Sequence, residues 1–320
     1  MIDGCGREID HLRLSLTDHC NLACRYCVPE GPQPAPRMIN AAFAFDVVKW
    51  MSEKHGIRHL RLTGGEPLLY TKLQPLVERL ATIRSLHEIT LTTNGQALAQ
   101  RAALLHRAGL TRINISLDSL NPDRFAQVTR GGRIDKTLAG IEAAVLAGLT
   151  PVKINVVVQR GLNDDELGAI AEWGMARGCV VRFLEVMPIG PLAHVVDRHL
   201  VPATEILERL RGTFDLRPIP QSLGQPAVDY AADGRGMRGV IGIIAPTTRP
   251  FCDRCRRIRV TSSGVLVACL HEPERFSLAD CWRGQSLDES LADQLLHQAI
   301  RNKPQVGSRS QSLTMLSLGG

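Results

Sequence analysis

Aromatic residues make up only 4% of this 320-residue chain, and its basic stretches are not interleaved with them. A surface that stacks successive bases of a single strand needs rings beside cations, so broad single-stranded nucleic-acid binding by stacking has little support. No run of about 18 apolar residues occurs, so no segment reads as a membrane span. The N-terminal stretch M-I-D-G-C-G-R-E lacks the basic and apolar regions of an export signal, and a cytoplasmic protein is expected. Nine cysteines are an odd number, which suits reduced thiols and metal ligation better than a disulfide framework. Lysine is scarce beside arginine in a chain of net charge +6, and the guanidinium fork suits phosphate oxygens.

What is present is organised by cysteine. Cys5, Cys179 and Cys281 stand alone and read as core thiols, while the other six fall into two groups of three. The stretch H-C-N-L-A-C-R-Y-C from His19 to Cys27 places Cys20, Cys24 and Cys27 in a C-x3-C-x2-C spacing. Three thiolates so close can each bind one iron of a cubic cluster, and no fourth cysteine follows at a matching distance. One iron then lacks a protein ligand, the open position that separates catalytic from structural metal sites. A zinc knuckle, which normally recruits a fourth Cys or His, and a set of buried unreactive thiols are the alternatives.

The second group lies in F-C-D-R-C-R-R-I-R-V-T-S-S-G-V-L-V-A-C from Phe251 to Cys269, with Cys252, Cys255 and Cys269 in a C-x2-C-x13-C spacing. Residues 257–261 and 265–269 read as two short strands around a Ser-Ser-Gly turn. If Thr261 faces Val265, then Cys269 faces Arg257, and Cys255, Arg257, Arg259 and Cys269 project from one surface. That is a metal site with two cations beside it; a zinc ribbon would lack its fourth ligand.

Between the two groups runs a repeated strand and helix pattern. Strands are expected at 9–17, 58–63, 88–93, 112–117, 152–158 and 180–186, with helices at 40–55, 72–84, 97–108, 135–147 and 164–177. Six strands alternating with helices predict an α/β fold with parallel pairing and right-handed crossovers. Residues 200–240 lose the rhythm, apart from a helix near 203–212, and read as Pro- and Gly-rich connections. The chain divides into 1–200, the strand and helix repeat, and 201–320, an extension that carries the second cysteines. Ligands of such folds bind at the carboxyl ends of the strands. There the sequence gathers the first cysteines, Thr63-Gly64-Gly65-Glu66-Pro67, Thr92 to Gly95, Ser116, Asp118 and Met187, with Lys153 and Asn155 in the fifth strand.

The three-cysteine spacing with Tyr26 before its last member, followed by Gly64-Gly65-Glu66-Pro67 after a strand, resembles the signature of the radical S-adenosylmethionine (SAM) enzymes. In that pattern paired glycines would let a backbone carbonyl approach the ligand, with Glu66 supporting the loop. The whole chain resembles the GTP 3′,8-cyclases of molybdenum-cofactor biosynthesis. The residues that carry this are L-R-L-S-L-T-D-H-C-N-L-A-C-R-Y-C from Leu12 to Cys27, R-L-T-G-G-E-P-L from Arg61 to Leu68, T-T-N-G from Thr92, S-L-D from Ser116, K-I-N from Lys153, the second cysteine set with Arg257 and Arg259, and the terminal Gly319-Gly320.

The resemblance implies an open, partial (βα)6 barrel with a smaller C-terminal extension, and a lyase that holds two [4Fe-4S] clusters. Cys20, Cys24 and Cys27 would hold the cluster that binds and cleaves SAM, and Cys252, Cys255 and Cys269 the one that holds the guanine. Tyr26, Gly65, Ser116 and Met187 would contact SAM. Arg13, Arg61, Thr92, Lys153, Arg182, Arg257 and Arg259 would contact GTP. It further implies a flavodoxin or ferredoxin as reductant, a cyclic pyranopterin monophosphate synthase downstream, and compatibility with a homodimer. The sequence departs from the family at His59, where Lys is frequent, at Tyr70, where Arg is frequent, at Arg256, where Asn is usual, and at Arg249-Pro250, where paired histidines are usual. The first two remove permanent charge near the expected phosphate site. A radical SAM reaction on a peptide or RNA, with the second set as an auxiliary cluster, and a zinc-binding interaction protein are the competing readings.

Overall fold

Short runs in which leucine, isoleucine or valine alternates with polar residues form the strands of a computed structural model that describes residues 1–31, 35–221, 224–271 and 275–306. The Gly319-Gly320 tail lies outside these residues. Strands β1 (His11–Ser15), β2 (His59–Thr63), β3 (Glu88–Thr93), β4 (Arg112–Ser116), β5 (Lys153–Val158) and β6 (Val180–Glu185) fall within the expected segments and pair in chain order, all parallel. The crossovers contain α1 (Ala41–His55), α2 (Leu73–Leu80), α3 (Ala102–Arg107), α4 (Pro122–Thr129), α5 (Ile134–Leu146) and α6 (Leu167–Met175). After β6 come α7 (Val196–His199) and α8 (Ala203–Arg211), and α9 (Glu289–Arg301) closes the described elements.

The sequence pattern missed α4. Its start was legible: Asn121 accepts hydrogen bonds from the backbone N–H of Asp123 and Arg124, and Pro122 takes the first helical position. The reading of 200–240 as connections is also corrected. Strands β7 (Asp215–Pro218), β8 (Val228–Gly234) and β9 (Met237–Ile244) form an antiparallel meander there. Frequent glycine hides the alternation, but Arg235 and Gly236, at φ 49° and 74°, make the two-residue turn that twisted hairpins favour.

Residues beyond 200 extend both edges of the same sheet. Strand β9 pairs parallel with β6, and β10 (Arg257–Val260) pairs parallel with β1. Strands β11 (Val265–Val267) and β12 (Phe276–Ser277) continue antiparallel beyond β10. Arg182 of β6 and Arg257 of β10 have five strands between them in the sheet order, yet they line one cavity. The sheet therefore curls until its two parallel edges face each other, as the partial barrel requires.

The two faces of this curled sheet differ in chemistry. Leu12, Leu14, Leu91, Ile113, Ile115, Ile154, Val156, Val181 and Phe183 are fully buried in the apolar core. Their alternates His11, Arg13, Arg61, Thr92, Asn114, Asn155 and Arg182 line the interior. The interior of a closed eight-strand barrel is packed with branched apolar side chains. Here the inner face carries charge, so it surrounds a channel.

Candidate active site

The channel reads as three connected chambers from the carboxyl to the amino ends of the strands. At the carboxyl ends, Cys20, Cys24, Cys27, Tyr26, Gly65, Ser116 and Met187 line one cavity, so the expected SAM-side residues are brought together. The cysteine loop is held from below by α4: Ala23 N–H donates to Thr129 O and Arg25 N–H to Val128 O. Cys27 and Val28 N–H both donate to Cys24 O, which makes the turn that separates the last two thiols.

The paired glycines also have a packing role that the sequence did not show. A Cβ on Gly65 would stand 2.4 Å from His19 O, and one on Gly64 2.6 Å from Thr17 O. Their missing side chains let the β2 loop lie against the backbone of the cysteine loop. Gly65 N–H donates to Thr17 O and Glu66 N–H to His19 O, at 2.5 and 2.8 Å. Glu66 supports the loop as expected: its buried carboxylate accepts from Leu68 N–H, Thr93 Oγ1 and Asn94 N–H. Burial raises its pKa, against those hydrogen bonds. Tyr26 OH donates to Asp118 Oδ2 at 2.8 Å, and Val157 N–H donates to Asp118 Oδ1. Burial brings the Asp118 carboxyl up to about 6.

Thr92, Asn155, Leu184, Glu185 and Met187 are shared with the middle chamber, which holds Cys252, Cys255 and Cys269. The hairpin register is the expected one: Arg259 faces Val267 and Val260 faces Leu266, so Cys255, Arg257, Arg259 and Cys269 line one wall. The two triads differ electrostatically. Burial pushes Cys20 up to about 11 and Cys27 to about 12, and raises Cys24 well above the usual thiol range. Burial acts the same way on Cys255, but Arg257, Lys303 and Arg259 overcome it and bring that thiol down to about 6.

Arg13, Arg61, Arg182, Pro226 and Arg257 connect the middle chamber to a third, of about 350 Å³, at the amino ends. Lys153 opens β5 and lines this third chamber, away from the carboxyl rim with which it had been grouped. Burial, then Arg182 and Arg112, bring its ammonium down to about 7. Burial likewise brings Arg61 and Arg259 to about 10, with neighbouring guanidinium groups adding to it. Arg13 is pushed down by burial and by Arg259, Arg61 and Arg257. The Nε groups of Arg112, Arg182, Arg257 and Arg259 are buried with no hydrogen-bond partner among the described residues. Arg182 meets Asp229 only at 3.5 Å. Clustered cations with unspent N–H donors cost free energy unless an anion completes them.

The departures from the family separate into near and far. His59 lines the third chamber, its ring stacked on His11 at 4.3 Å and its Nδ1 3.7 Å from Glu88. Tyr70 is not near the phosphate chamber. It is buried in the core with its OH donating to Ile39 O, so its difference from arginine removes no charge there. Arg256 points away as well, pairing with Asp10 and Glu8. Pro250 lines the middle chamber. Sequence reasoning missed Arg112, His11, Asn114, Phe251 and Lys303 as wall residues. Inward parity on β1 and β4 could have found His11, Arg112 and Asn114, whereas nothing local marked Lys303.

The donor chemistry tests which metal group fits. Among the described residues the trio whose donor atoms all lie within 4.8 Å is Asp10, His11 and His59, and neither cysteine triad meets that limit. A single tetrahedral ion with sulfur at 2.3 Å sets its sulfurs about 3.8 Å apart, closer than the sulfurs of either triad stand. Three thiols spread more widely suit a polynuclear iron–sulfur group.

Residues 14–174 match the model described as the radical SAM superfamily, and residues 179–308 that described as Molybdenum Cofactor Synthesis C. A protein named GTP 3′,8-cyclase from Hydrogenovibrio crunogenus is 37% identical over 333 residues, covering 100% of this chain and 99% of its own. One of the same name from Paenarthrobacter nicotinovorans is 41% identical, covering 91% of this chain and 86% of its own. The solved structure of Streptococcus suis SuiB bound to precursor peptide SuiA superposes with a TM-score of 0.64 at 13% identity. It covers 92% of this chain and 67% of that one, a likeness of fold.

Proposed function

The chain belongs to the GTP 3′,8-cyclase family of the radical SAM superfamily, and on that premise we propose that its interior channel is a GTP site running from one thiol triad to the cations at the strand starts. The protein is a GTP 3′,8-cyclase of molybdenum-cofactor biosynthesis, acting at the first step of that pathway. The observation that carries the site assignment is the convergence of buried, unpartnered guanidinium nitrogens on adjoining cavities, one of which holds the second triad and borders the cavity of the first.

Cys20, Cys24 and Cys27 would hold one [4Fe-4S] cluster and Cys252, Cys255 and Cys269 a second. With SAM bound, the first would supply the electron and the carbon radical that takes hydrogen from the ribose of GTP. The chain's own residues do the rest of the positioning. Arg13, Arg61, Lys153, Arg182 and Arg257 bind the triphosphate, and charge-assisted hydrogen bonds contribute about 1.5 to 3 kcal/mol each. Three or four of these supply most of the about 8 kcal/mol of micromolar binding. Arg259 faces the guanine side beside the second triad, and Thr92 lies where the SAM and GTP chambers join. Tyr26, Gly65, Ser116 and Met187 shape the SAM side.

The reaction is a lyase reaction by class, in a cytoplasmic enzyme compatible with a homodimer. It calls for a low-potential donor such as flavodoxin or ferredoxin, and for a cyclic pyranopterin monophosphate synthase to consume the product. The test is anaerobic reconstitution with iron and sulfide, followed by reductant, SAM and GTP. 5′-Deoxyadenosine and a cyclised GTP product are expected together; SAM cleavage with GTP untouched would remove the substrate assignment.

A further inference from the structure

Lys303 follows α9 and is 3% exposed. Its Nζ donates to Arg257 O at 2.9 Å and also to Ala268 O. Arg257 lies two residues after Cys255, and Ala268 immediately precedes Cys269, so one side chain bridges the two segments that carry these thiols. It lines the same chamber as Cys252, Cys255 and Cys269. The charged groups that act on it most are Cys255, Cys269, Arg7 and Arg259, and none is a carboxylate. Taking an ammonium out of water is costly, and two carbonyl acceptors offset only part of that cost. An anionic group at the triad would complete its compensation.

The segment is fixed from the other side by Arg7. Its guanidinium donates to Cys252 O at 2.7 Å and to Pro304 O at 2.8 Å, while its Nε donates to Asp3 Oδ2. Arg7 thus ties the first cysteine of the triad to the backbone just beyond Lys303. All three thiols are connected through this pair of cations, although Lys303 stands 34 residues after Cys269 in the chain.

We propose that Lys303 is a positioning residue of the second triad: it ties the ends of β10 and β11 together and supplies the positive charge that faces an iron–sulfur cluster held by Cys252, Cys255 and Cys269. This rests on the reading of that triad as a cluster site. Outer charges and hydrogen bonds of this kind set both the retention and the potential of such centres.

The experiment uses the full chain with Cys20, Cys24 and Cys27 replaced by Ala, so that only the second triad reports. This parent, its K303R variant and its K303Q variant are reconstituted with iron and sulfide. Iron and acid-labile sulfide are counted per chain, and the cluster is titrated potentiometrically by electron paramagnetic resonance. The amide of K303Q keeps a donor but no charge, so its cluster should titrate at a more negative potential and lose iron to a chelator faster than the parent. K303R should behave as the parent, which rules out general misfolding as the cause. A K303Q cluster with the parent's potential and retention overturns the proposal and leaves the triad reading intact. A parent that takes up no iron and sulfide overturns both.

Discussion

Cys24 and Cys269 separate the two thiol sites by experiment. Cys24→Ala should abolish SAM cleavage, whereas Cys269→Ala should keep part of the cleavage and lose the cyclised product, both read by mass. Full GTP turnover in either variant would count against two cluster sites. A second residue prediction concerns pH. Lys153 is held at about 7 by burial and nearby cations, so in the free enzyme it is charged below that pH and neutral above it. A triphosphate favours the charged form, so KM for GTP should rise with pH above about 7, by up to about tenfold per unit. Lys153→Arg should flatten that profile, because arginine keeps its charge. His59→Lys adds permanent charge to the same chamber, where Glu88 already competes for it. It should lower KM at alkaline pH by about tenfold or less. An unchanged KM would mean that the phosphates stop short of the strand starts. The thiols were legible in the sequence because their spacing announces a task, whereas Arg13, Arg61 and Arg182 came from the family resemblance and Arg112 was missed. Tyr70 was misplaced because the residue a family usually carries at a position says nothing about which side of the loop this ring packs on. Lys303 was invisible because its partners are carbonyls on strands far away in the chain.

Elements came out of the pattern wherever apolar alternation was strong, as in β3, whose bounds are the expected ones. They were lost where polar or glycine residues interrupt it. The α4 helix is short and mostly polar outside Phe125 and Val128, yet it carries the backbone acceptors that hold the cysteine loop. The glycine pair in the β2 loop was found, but the packing of loop on loop that it permits was not. Gly65→Ala tests that packing. The new Cβ would stand 2.4 Å from His19 O, which is backbone and cannot swing aside. Overpacking of this kind costs about 1 to 3 kcal/mol. The cysteine loop would shift with it, and a displacement near 1 Å can lower the chemical rate by about a hundredfold. Thermal unfolding and 5′-deoxyadenosine formation should therefore fall together. Normal SAM cleavage by a destabilised variant would show that the loop contact is structural alone.

At the scale of the molecule, the six parallel strands and their crossovers could be read from the chain, but the way their edges are covered could not. Strands β9 and β10 lie far from β6 and β1 in sequence, and no local signal pairs a strand with a particular edge. The consequence is that residues 1–200 and 201–320 share one sheet and one channel. The first part alone would bare the parallel edges of β1 and β6, a template for pairing with other chains. It would also open a half-channel holding Arg13, Arg61, Lys153 and Arg182 without the facing Arg257 and Arg259. A chain ended at residue 200 should therefore aggregate or bind a hydrophobic dye, as judged by size-exclusion chromatography and fluorescence. Co-expression with residues 201–320 should return a soluble complex, because the ladders between β1 and β10 and between β6 and β9 are main-chain hydrogen bonds that need no covalent link. A monomeric 1–200 fragment that unfolds cooperatively would mean that the repeat closes its own edges, and that the second triad is an addition to a finished barrel.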